Sequence, residues 1–467
     1  MPGTSPSASA PSWLDPLALE TALARESAPE TAVVREILDK SLALEPLGPD
    51  EIVALLRVRK PEDLQLILGT ADLVKQKVYG DRIVLTAPLH ISNTCASECR
   101  YCASRKGNTA IQRKRLDQSE LREAARKLIR QGHKRVVLVS GQSTSADVEY
   151  WAEAVDTLHR LFDGMGEIRR VNLDLGVLTA EEYALLRRTE AGTVNIYQET
   201  YHEESYHNAH PGGPKSDYAG RLLGPETALQ AGMTDVGLGL ALGLGPWEFD
   251  LLALAAHAAY LAREYGAGGR TVNLHRVRPA PGCDFQPPYA MNDEDFLRCV
   301  AITRLAIPYT GILLTTREPA GLWRAACNTG CSQLLTGSIA NPYESWTDAP
   351  GEKAPFPIGE DCHLDEVVRF LLEEARHLPS FCTACPRLGR SGREFISLVR
   401  GGNIKSQCGP NSMASFMEFL LNYATPYTRQ LGEKVIAEKL EQLTEHERGA
   451  AERLLQKVRS GRMDEFI

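Results

Sequence analysis

The stretch RIVLTAPLHISNTCASECRYC, residues 82–102, places a short apolar run directly before three cysteines. The run RIVLTAPLH predicts a buried β-strand, because apolar and β-branched residues dominate it. Cys95, Cys99 and Cys102 then follow in a C-x3-C-x2-C pattern. In a parallel α/β barrel the carboxyl ends of the strands carry the catalytic groups. The stretch therefore predicts a barrel with a metal-binding loop at its mouth.

Seven further apolar runs follow along the chain and are separated by amphipathic segments. One such segment, DQSELREAARKLIRQG at 117–132, has an acidic N-cap and ends in glycine, as a helix requires. The alternation predicts an α/β fold, a (β/α)8 TIM-type barrel. A partial, six-stranded barrel is the alternative, because the last two runs are the weaker strands. The runs after the first are RVVLVSG (135–141), RVNLDLGV (170–177), TVNIYQET (193–200), DVGLGLALG (235–243), TVNLHRV (271–277), GILLTTRE (311–318) and SQLLTGS (332–338).

The chain divides into four predicted parts. Residues 1–30 are rich in Pro, Ser and Ala and predict a disordered tail. Residues 31–80 carry apolar positions at helical spacing and predict an N-terminal helical extension, and 81–345 form the barrel. Residues 346–467 predict a C-terminal, mainly helical domain with cysteines. A Pro-, Gly- and acid-rich segment near 341–361 predicts a linker or surface loop between the last two parts.

Charge and composition exclude some partners. The formal net charge of −8 argues against a general nucleic-acid or anionic-membrane binder, which needs a basic surface. No run approaches the roughly 20 apolar residues of a membrane span. The first residues lack the basic and apolar regions of a secretory signal, so we expect a cytoplasmic protein with reduced thiols. Its eleven cysteines are then candidates for metal binding or catalysis.

The first cysteine group suits an iron–sulfur cluster with one open iron. A four-iron cluster normally takes about four thiolates, so three cysteines leave one iron without a protein ligand. An open coordination position is what a catalytic metal needs. The alternative is a structural zinc loop, although zinc sites usually pair one C-x2-C with a second.

A second cysteine group lies near the C-terminus. Cys382 and Cys385 stand in FCTACPRLGRSG, and Cys408 follows in SQCGPN after 22 further residues. Three thiolates again predict an iron–sulfur cluster. The alternative is a zinc site completed by a distant ligand, for which Cys362 is near enough in sequence.

The C-x3-C-x2-C run resembles the defining motif of the radical S-adenosyl-L-methionine (SAM) superfamily. From about residue 75 onward the chain is similar to the aromatic amino acid lyases of that superfamily, as in YQETYHEESY, HPGGPKSDY, TREP and PSFCTACPRLGR. That family includes the tyrosine lyases of [FeFe]-hydrogenase maturation and of thiazole synthesis. It also includes the tryptophan-processing enzyme that makes 3-methyl-2-indolic acid, to which CASRKGN has some likeness.

The resemblance implies a radical SAM lyase and its cofactors. SAM would bind a [4Fe-4S] cluster on Cys95, Cys99 and Cys102, and one electron would split it into methionine and a 5′-deoxyadenosyl radical. The C-terminal cysteines would hold a second cluster, of the [4Fe-4S] type. The substrate would be an aromatic L-amino acid, with tyrosine favoured and cleaved to p-cresol and dehydroglycine. A flavodoxin- or ferredoxin-type protein would supply the electron, and an acceptor protein would take any cluster product.

The resemblance also assigns residues to SAM. Tyr101 would lie against the adenine, Glu199 would bind the ribose, and Arg276 would bind the carboxylate of SAM. Gln142 replaces the acid that pairs with the SAM ammonium in the relatives, and an amide forfeits the assistance of a charge. This loss favours a second class of function, a non-catalytic iron–sulfur scaffold.

The resemblance further assigns residues of the barrel mouth to the substrate. Arg317 matches the arginine that clamps the substrate carboxylate, and Ser338 matches a nearby hydroxyl donor. His90 and Thr94 replace two tyrosines of the relatives, so the pocket could hold a substrate side chain other than that of tyrosine. Arg270 replaces a histidine that helps to hold an extra iron in the hydrogenase maturase, so synthesis of carbon monoxide and cyanide is not implied.

Overall fold

A computed structural model describes residues 11–25, 27–164, 166–336, 363–374, 377–400 and 404–467 of the chain. Ser338, the predicted linker at 341–361 and Cys362 lie outside the described residues.

A closed parallel barrel forms the centre of the fold. Its strands follow chain order around the barrel, and β8 pairs with β1 through Val84 and Gln333. The predicted (β/α)8 barrel is therefore confirmed, and the six-stranded alternative is wrong because β7 and β8 complete the ring. The described strands are β1 (Arg82–Ser92), β2 (Arg135–Ser140), β3 (Arg170–Asp174), β4 (Val194–Asn195), β5 (Val236–Leu242), β6 (Thr271–Arg276), β7 (Gly311–Thr315) and β8 (Gln333–Leu335).

Helices surround the barrel. Local sequence explains their ends: in α5, Asp117 accepts a hydrogen bond from the backbone of Glu120, and Gly132 ends the helix at a left-handed φ of 100°. The first helices are α1 (Pro16–Leu23), α2 (Thr31–Leu42), α3 (Pro49–Leu56), α4 (Pro61–Tyr79), α5 (Gln118–Gln131), α6 (Val148–Arg160), α7 (Ala180–Arg187) and α8 (Glu203–Ala209). They are followed by α9 (Tyr218–Gln230), α10 (Trp247–Tyr265), α11 (Asp293–Ala306) and α12 (Ala320–Cys327). A short hairpin, Phe162–Asp163 with Gly166–Glu167, lies between α6 and β3.

Part of the predicted disordered tail is helical, since α1 (Pro16–Leu23) lies within it, whereas residues 1–10 and 26 lie outside the described residues. Asp15 caps this helix by accepting from Ala18, and Leu19 is buried in the main core. Trp13 stacks on His257 of α10 with ring centroids 4.2 Å apart. A segment rich in Pro, Ser and Ala can still be ordered where a few apolar side chains pack into a groove.

The barrel interior is polar at several levels. On β3, Val171 and Leu173 are buried in the apolar core, whereas Arg170 and Asn172 line an internal cavity. Successive side chains of a strand point to opposite faces, so Asp174 faces inward as well. Most TIM barrels fill this space with branched apolar side chains. Here the interior has room for polar ligands.

The C-terminal region docks at the amino end of the barrel. Strand β9, Leu378–Ser380, pairs in parallel with Arg82–Val84, at the beginning of β1. The remaining helices are α13 (Leu364–Glu373), α14 (Ala384–Arg387), α15 (Gly392–Arg400), α16 (Ile404–Asn422), α17 (Pro426–Glu441) and α18 (Glu445–Arg459). The second cysteine group thus lies at the end of the barrel opposite to the first. Within the described ranges, no helix is both long and apolar enough to cross a membrane.

Candidate active site

The first cysteine loop leaves β1 and is held by backbone contacts. Ala96 N donates to the Gln142 carbonyl at 2.8 Å, and Glu98 N donates to the Gly212 carbonyl at 2.9 Å. A Cβ on Gly141 would lie 2.5 Å from the Thr94 carbonyl oxygen, so this glycine lets the loop sit directly on the end of β2. The loop is therefore positioned at the carboxyl end of the barrel, as its sequence position predicts.

The three thiols of this loop fit a cluster. Burial raises the pKa of Cys99 to about 12, while Lys215 opposes it. Cys102 and Cys95 also raise this pKa, as neighbouring thiols of one loop do. Among the described residues, no three His, Cys, Asp or Glu side chains converge as ligands of a single metal ion. The thiolates of a cluster bind separate irons, and the assignment of Cys95, Cys99 and Cys102 to a cluster stays a prediction.

Glu199 stands beside the loop in a network of charges. Its carboxylate accepts from Lys215 Nζ, and Arg221 lies 3.6 Å away. Burial alone would raise the pKa of Glu199, but Lys215, Arg221 and His275 lower it to about 2. Its backbone φ of 71° is left-handed, which is uncommon for a residue with a side chain. Glu199 is thus a permanently ionised carboxylate; its assignment to the ribose stays a prediction.

Tyr101 is half-buried next to this network. Its hydroxyl is 2.9 Å from His210 Nε2, and its ring centroid is 6.2 Å from that of Phe285. Lys215 Nζ lies 5.9 Å from the same ring centroid. The structure therefore brings Tyr101 and Glu199 together through Lys215, and the adenine contact of Tyr101 stays a prediction.

Gln142 has a fixed side-chain orientation. Its Nε2 donates to the Val177 carbonyl at 3.1 Å, and its Oε1 lies 2.1 Å from where a Cβ on Gly176 would be. A carbonyl only accepts hydrogen bonds, so the amide nitrogen must face Val177 and the oxygen remains the acceptor. Gln142 can offer SAM a neutral acceptor but no charge.

Arg276 is placed away from the other predicted SAM residues. It donates to Glu318 at 2.6 Å and to Asp293 at 2.7 Å, and its guanidinium carbon lies 5.3 Å from the ring centroid of Phe296. The Glu318 side chain is only 2% exposed, so this pair is a buried ion pair. A SAM carboxylate at Arg276 would have to displace Asp293, and the assignment stays a prediction.

Arg317 stands at the exit of β7 beside two histidines. Burial and then Arg317 lower the pKa of His90 to about 4, and Arg317 also contributes to the lowered pKa of His275. Both histidines are neutral at pH 7, and the Arg317 side chain is exposed at this side of the mouth. The role of Arg317 as the carboxylate clamp stays a prediction.

Sequence reasoning missed several residues of the mouth. Asp174 ends β3, and Tyr197 follows β4 with its ring only 2.4 Å from where a Cβ on Gly239 would be. Lys215 and Arg221 hold Glu199. The available signal was a polar residue at the end of each apolar run, since parallel strands bring those ends together.

The second cysteine group lines a cavity of about 750 Å³, part of it open to solvent. A hydrogen bond from Cys408 lowers the pKa of Cys385 to about 6 and outweighs burial, which raises it. Arg135 donates to the Cys382 carbonyl at 2.9 Å. Cationic walls suit an anionic three-thiolate cluster, so the residues fit the implied group. The arginines of the wall are Arg82, Arg135, Arg170 and Arg270.

Comparisons with known proteins agree with this geometry. The Radical SAM superfamily profile matches residues 89–255, and the Biotin and Thiamin Synthesis associated domain matches 273–389. A 2-iminoacetate synthase of Salmonella typhimurium is 28% identical over 283 residues, 60% of this chain and 73% of that protein.

Two solved structures are similar over nearly the whole chain. HydG, a maturase of the [FeFe]-hydrogenase, is 34% identical with a TM-score of 0.92, covering 97% of this chain and 100% of that one. HydG from Carboxydothermus hydrogenoformans is 31% identical with a TM-score of 0.79, covering 95% and 100%. The chain therefore belongs to the radical SAM superfamily and, within it, to the family of the maturase HydG.

Proposed function

We propose that this radical SAM enzyme cleaves the Cα–Cβ bond of an aromatic L-amino acid, with tyrosine favoured, and releases p-cresol and dehydroglycine. The observation that carries the proposal is the 34% identity to HydG over 97% of the chain. The similarity to 2-iminoacetate synthases supports it, since 2-iminoacetate is dehydroglycine.

The chain's own residues would position the substrate. When bound, SAM and its cluster supply a 5′-deoxyadenosyl radical that abstracts a hydrogen atom. A radical attacks the nearest hydrogen, so the grip on the amino acid decides which bond breaks. Arg317 can clamp a carboxylate through two parallel hydrogen bonds. His90 is uncharged beside it, with its pKa lowered to about 4 by burial and Arg317, and so does not compete for that anion. Ser338 would add a hydroxyl donor.

Tryptophan is the second candidate substrate. His90 and Thr94 stand where the tyrosine lyases have tyrosines, and an imidazole and a hydroxyl change the size and polarity of the pocket. A biosynthetic lyase acting on tryptophan would use the same anchoring of the carboxylate and differ only in the contacts to the ring.

The two cysteine groups would divide the work. Cys95, Cys99 and Cys102 would hold the cluster that cleaves SAM, fed by a flavodoxin- or ferredoxin-type donor. Cys382, Cys385 and Cys408 would hold a second cluster in the arginine-lined cavity, where a product fragment can be captured for an acceptor protein. The opposite ends of one barrel keep the two reactions apart.

The test is anaerobic turnover of the reconstituted protein with SAM and either tyrosine or tryptophan. We expect 5′-deoxyadenosine together with p-cresol from tyrosine. An indole product from tryptophan, with no product from tyrosine, would make tryptophan the substrate, and no 5′-deoxyadenosine with either amino acid would support the non-catalytic scaffold.

Cys385→Ala should retain SAM cleavage, whereas Cys99→Ala should abolish it. Loss of cleavage in folded Cys385→Ala protein would contradict the division of work.

A further inference from the structure

Asp174 is an unused carboxylate in the barrel mouth. It is the last residue of β3 and pairs in register with Val139 of β2 and Asn195 of β4. Arg170 and Asn172 of the same strand line the internal cavity, so the alternation of side chains directs Asp174 inward at the carboxyl end. Within the described part of the chain, no hydrogen bond or ion pair involves its carboxylate. A half-buried carboxylate of this kind favours a ligand that donates hydrogen bonds.

A continuous line of contacts joins Asp174 to the first cysteine loop. A Cβ on Gly141 would lie 3.0 Å from Cys95 Cβ, and the next residue, Gln142, accepts a backbone hydrogen bond from the loop. The Gln142 side chain in turn rests on Gly176, two residues after Asp174. A ligand bound at the open iron of that loop is therefore within the part of the mouth that Asp174 faces.

Two other acceptors near Asp174, Glu199 and Gln142, are less suited to bind a cation. Glu199, the other carboxylate nearby, is already paired with Lys215 and Arg221. Gln142 contributes an amide oxygen without charge. A ligand carrying an amino group and a sulfonium is a cation at this position, and a charge-assisted hydrogen bond is roughly twice as strong as a neutral one.

We propose that Asp174 binds the α-amino group of SAM and supplies the negative charge that Gln142 lacks. The carboxylate that binds the amino group would then stand at the end of β3 and not of β2, and the Gln142 amide would add a neutral acceptor. The proposal rests on the SAM chemistry of the family and not on the amino acid substrate proposed above. Asp174 is a binding residue that positions SAM; it takes part in no bond-breaking step itself.

The test is calorimetric titration of SAM into the anaerobic, cluster-loaded protein with its clusters oxidised, so that no turnover occurs. Asp174→Asn should raise the Kd of SAM about tenfold or more, as loss of one charged hydrogen bond implies. Gln142→Glu in the Asp174→Asn protein should restore the Kd to within about threefold of wild type, because it returns the charge to the neighbouring strand end. Glu181→Gln, an exposed change in the first turn of α7, is the matched control and should leave the Kd unchanged.

Two results would overturn the proposal. If Asp174→Asn leaves the Kd of SAM unchanged but weakens tyrosine or tryptophan, Asp174 serves the ammonium of the substrate instead. If the double variant binds SAM no better than Asp174→Asn alone, charge is not what position 174 provides. Iron content and the visible spectrum of each variant are measured first; Asp174→Ser replaces Asp174→Asn if the latter loads no cluster, with the same expected loss and rescue.

Discussion

Replacing Asp174 by Asn should stabilise the cluster-loaded, SAM-free protein at pH 8.5 and have a smaller effect at pH 5. Burial and then Glu199 raise the pKa of Asp174 from 3.8 to about 7, against the opposing charges of Lys215 and Arg221. A carboxyl group with a raised pKa holds its proton more tightly in the folded state than in the unfolded state. Folding stability is therefore lost as the pH rises from about 4 through about 7, and the loss is complete above that range.

The size of the effect follows from the same pKa values. Each pH unit between 3.8 and about 7 corresponds to about 1.4 kcal/mol, which gives an upper limit of about 4 kcal/mol. Asp174 is partly exposed to solvent, and a high effective dielectric reduces the interaction, so we expect about 2 kcal/mol at pH 8.5. Asn has nearly the same shape and no charge, and it removes this cost.

The measurement is anaerobic unfolding of wild type and Asp174→Asn side by side at pH 5, 6, 7 and 8.5. All other titrating groups are shared, so the difference between the two proteins isolates position 174. Saturating SAM should reduce the stability difference between the two proteins at pH 8.5 by about 1.4 kcal/mol for a tenfold difference in Kd, because a ligand stabilises the form that binds it more tightly. A difference that is the same at every pH, or a less stable Asp174→Asn protein at pH 8.5 without SAM, would refute the assignment of a half-buried carboxylate with a raised pKa.

Three other changes test separate parts of the structure. Gly239→Ala should cost about 1–3 kcal/mol of unfolding free energy in denaturant titration, because the new methyl group meets the Tyr197 ring; full stability would contradict that close packing. Arg276→Met should lower the free energy of unfolding by about 3–5 kcal/mol, because it leaves Glu318 buried and unpaired. Adding Glu318→Gln should recover most of this loss; a double variant no more stable than Arg276→Met would show that the two residues are not coupled. Arg317→Lys should raise KM for the amino acid about tenfold or more while the Kd of SAM stays constant. Equal changes in KM and in the Kd of SAM would show that Arg317 does not bind the substrate specifically.

Local patterns in the sequence sufficed for the barrel and for the first cysteine loop. Short apolar runs separated by capped amphipathic segments are a property of neighbouring residues, and the spacing of Cys95, Cys99 and Cys102 is set along a single loop. The strand ends were predictable for the same reason. The helix α1 within the predicted tail could not be predicted in this way, because its order depends on packing against α10, which is far away in sequence.

The charges at the mouth depended on tertiary structure. Arg276 follows the family's motif, yet the fold pairs it with Glu318 on the helical side of β6. Asp174 carries no motif, and its proposed role arises only because β3 pairs with β2, so that the Gln142 side chain rests on Gly176, two residues after Asp174.

The sequence by itself determined the class of fold and the superfamily, and it predicts the cysteine ligands, since these follow from spacing and alternation along short segments. Only the tertiary structure decided that the second cysteine group lies at the opposite end of the barrel, among four arginines, and that an unpaired carboxylate stands near the first. Pairing of strands distant in sequence, such as β9 with β1, determines which groups meet. Burial then determines which of those groups keep their charge.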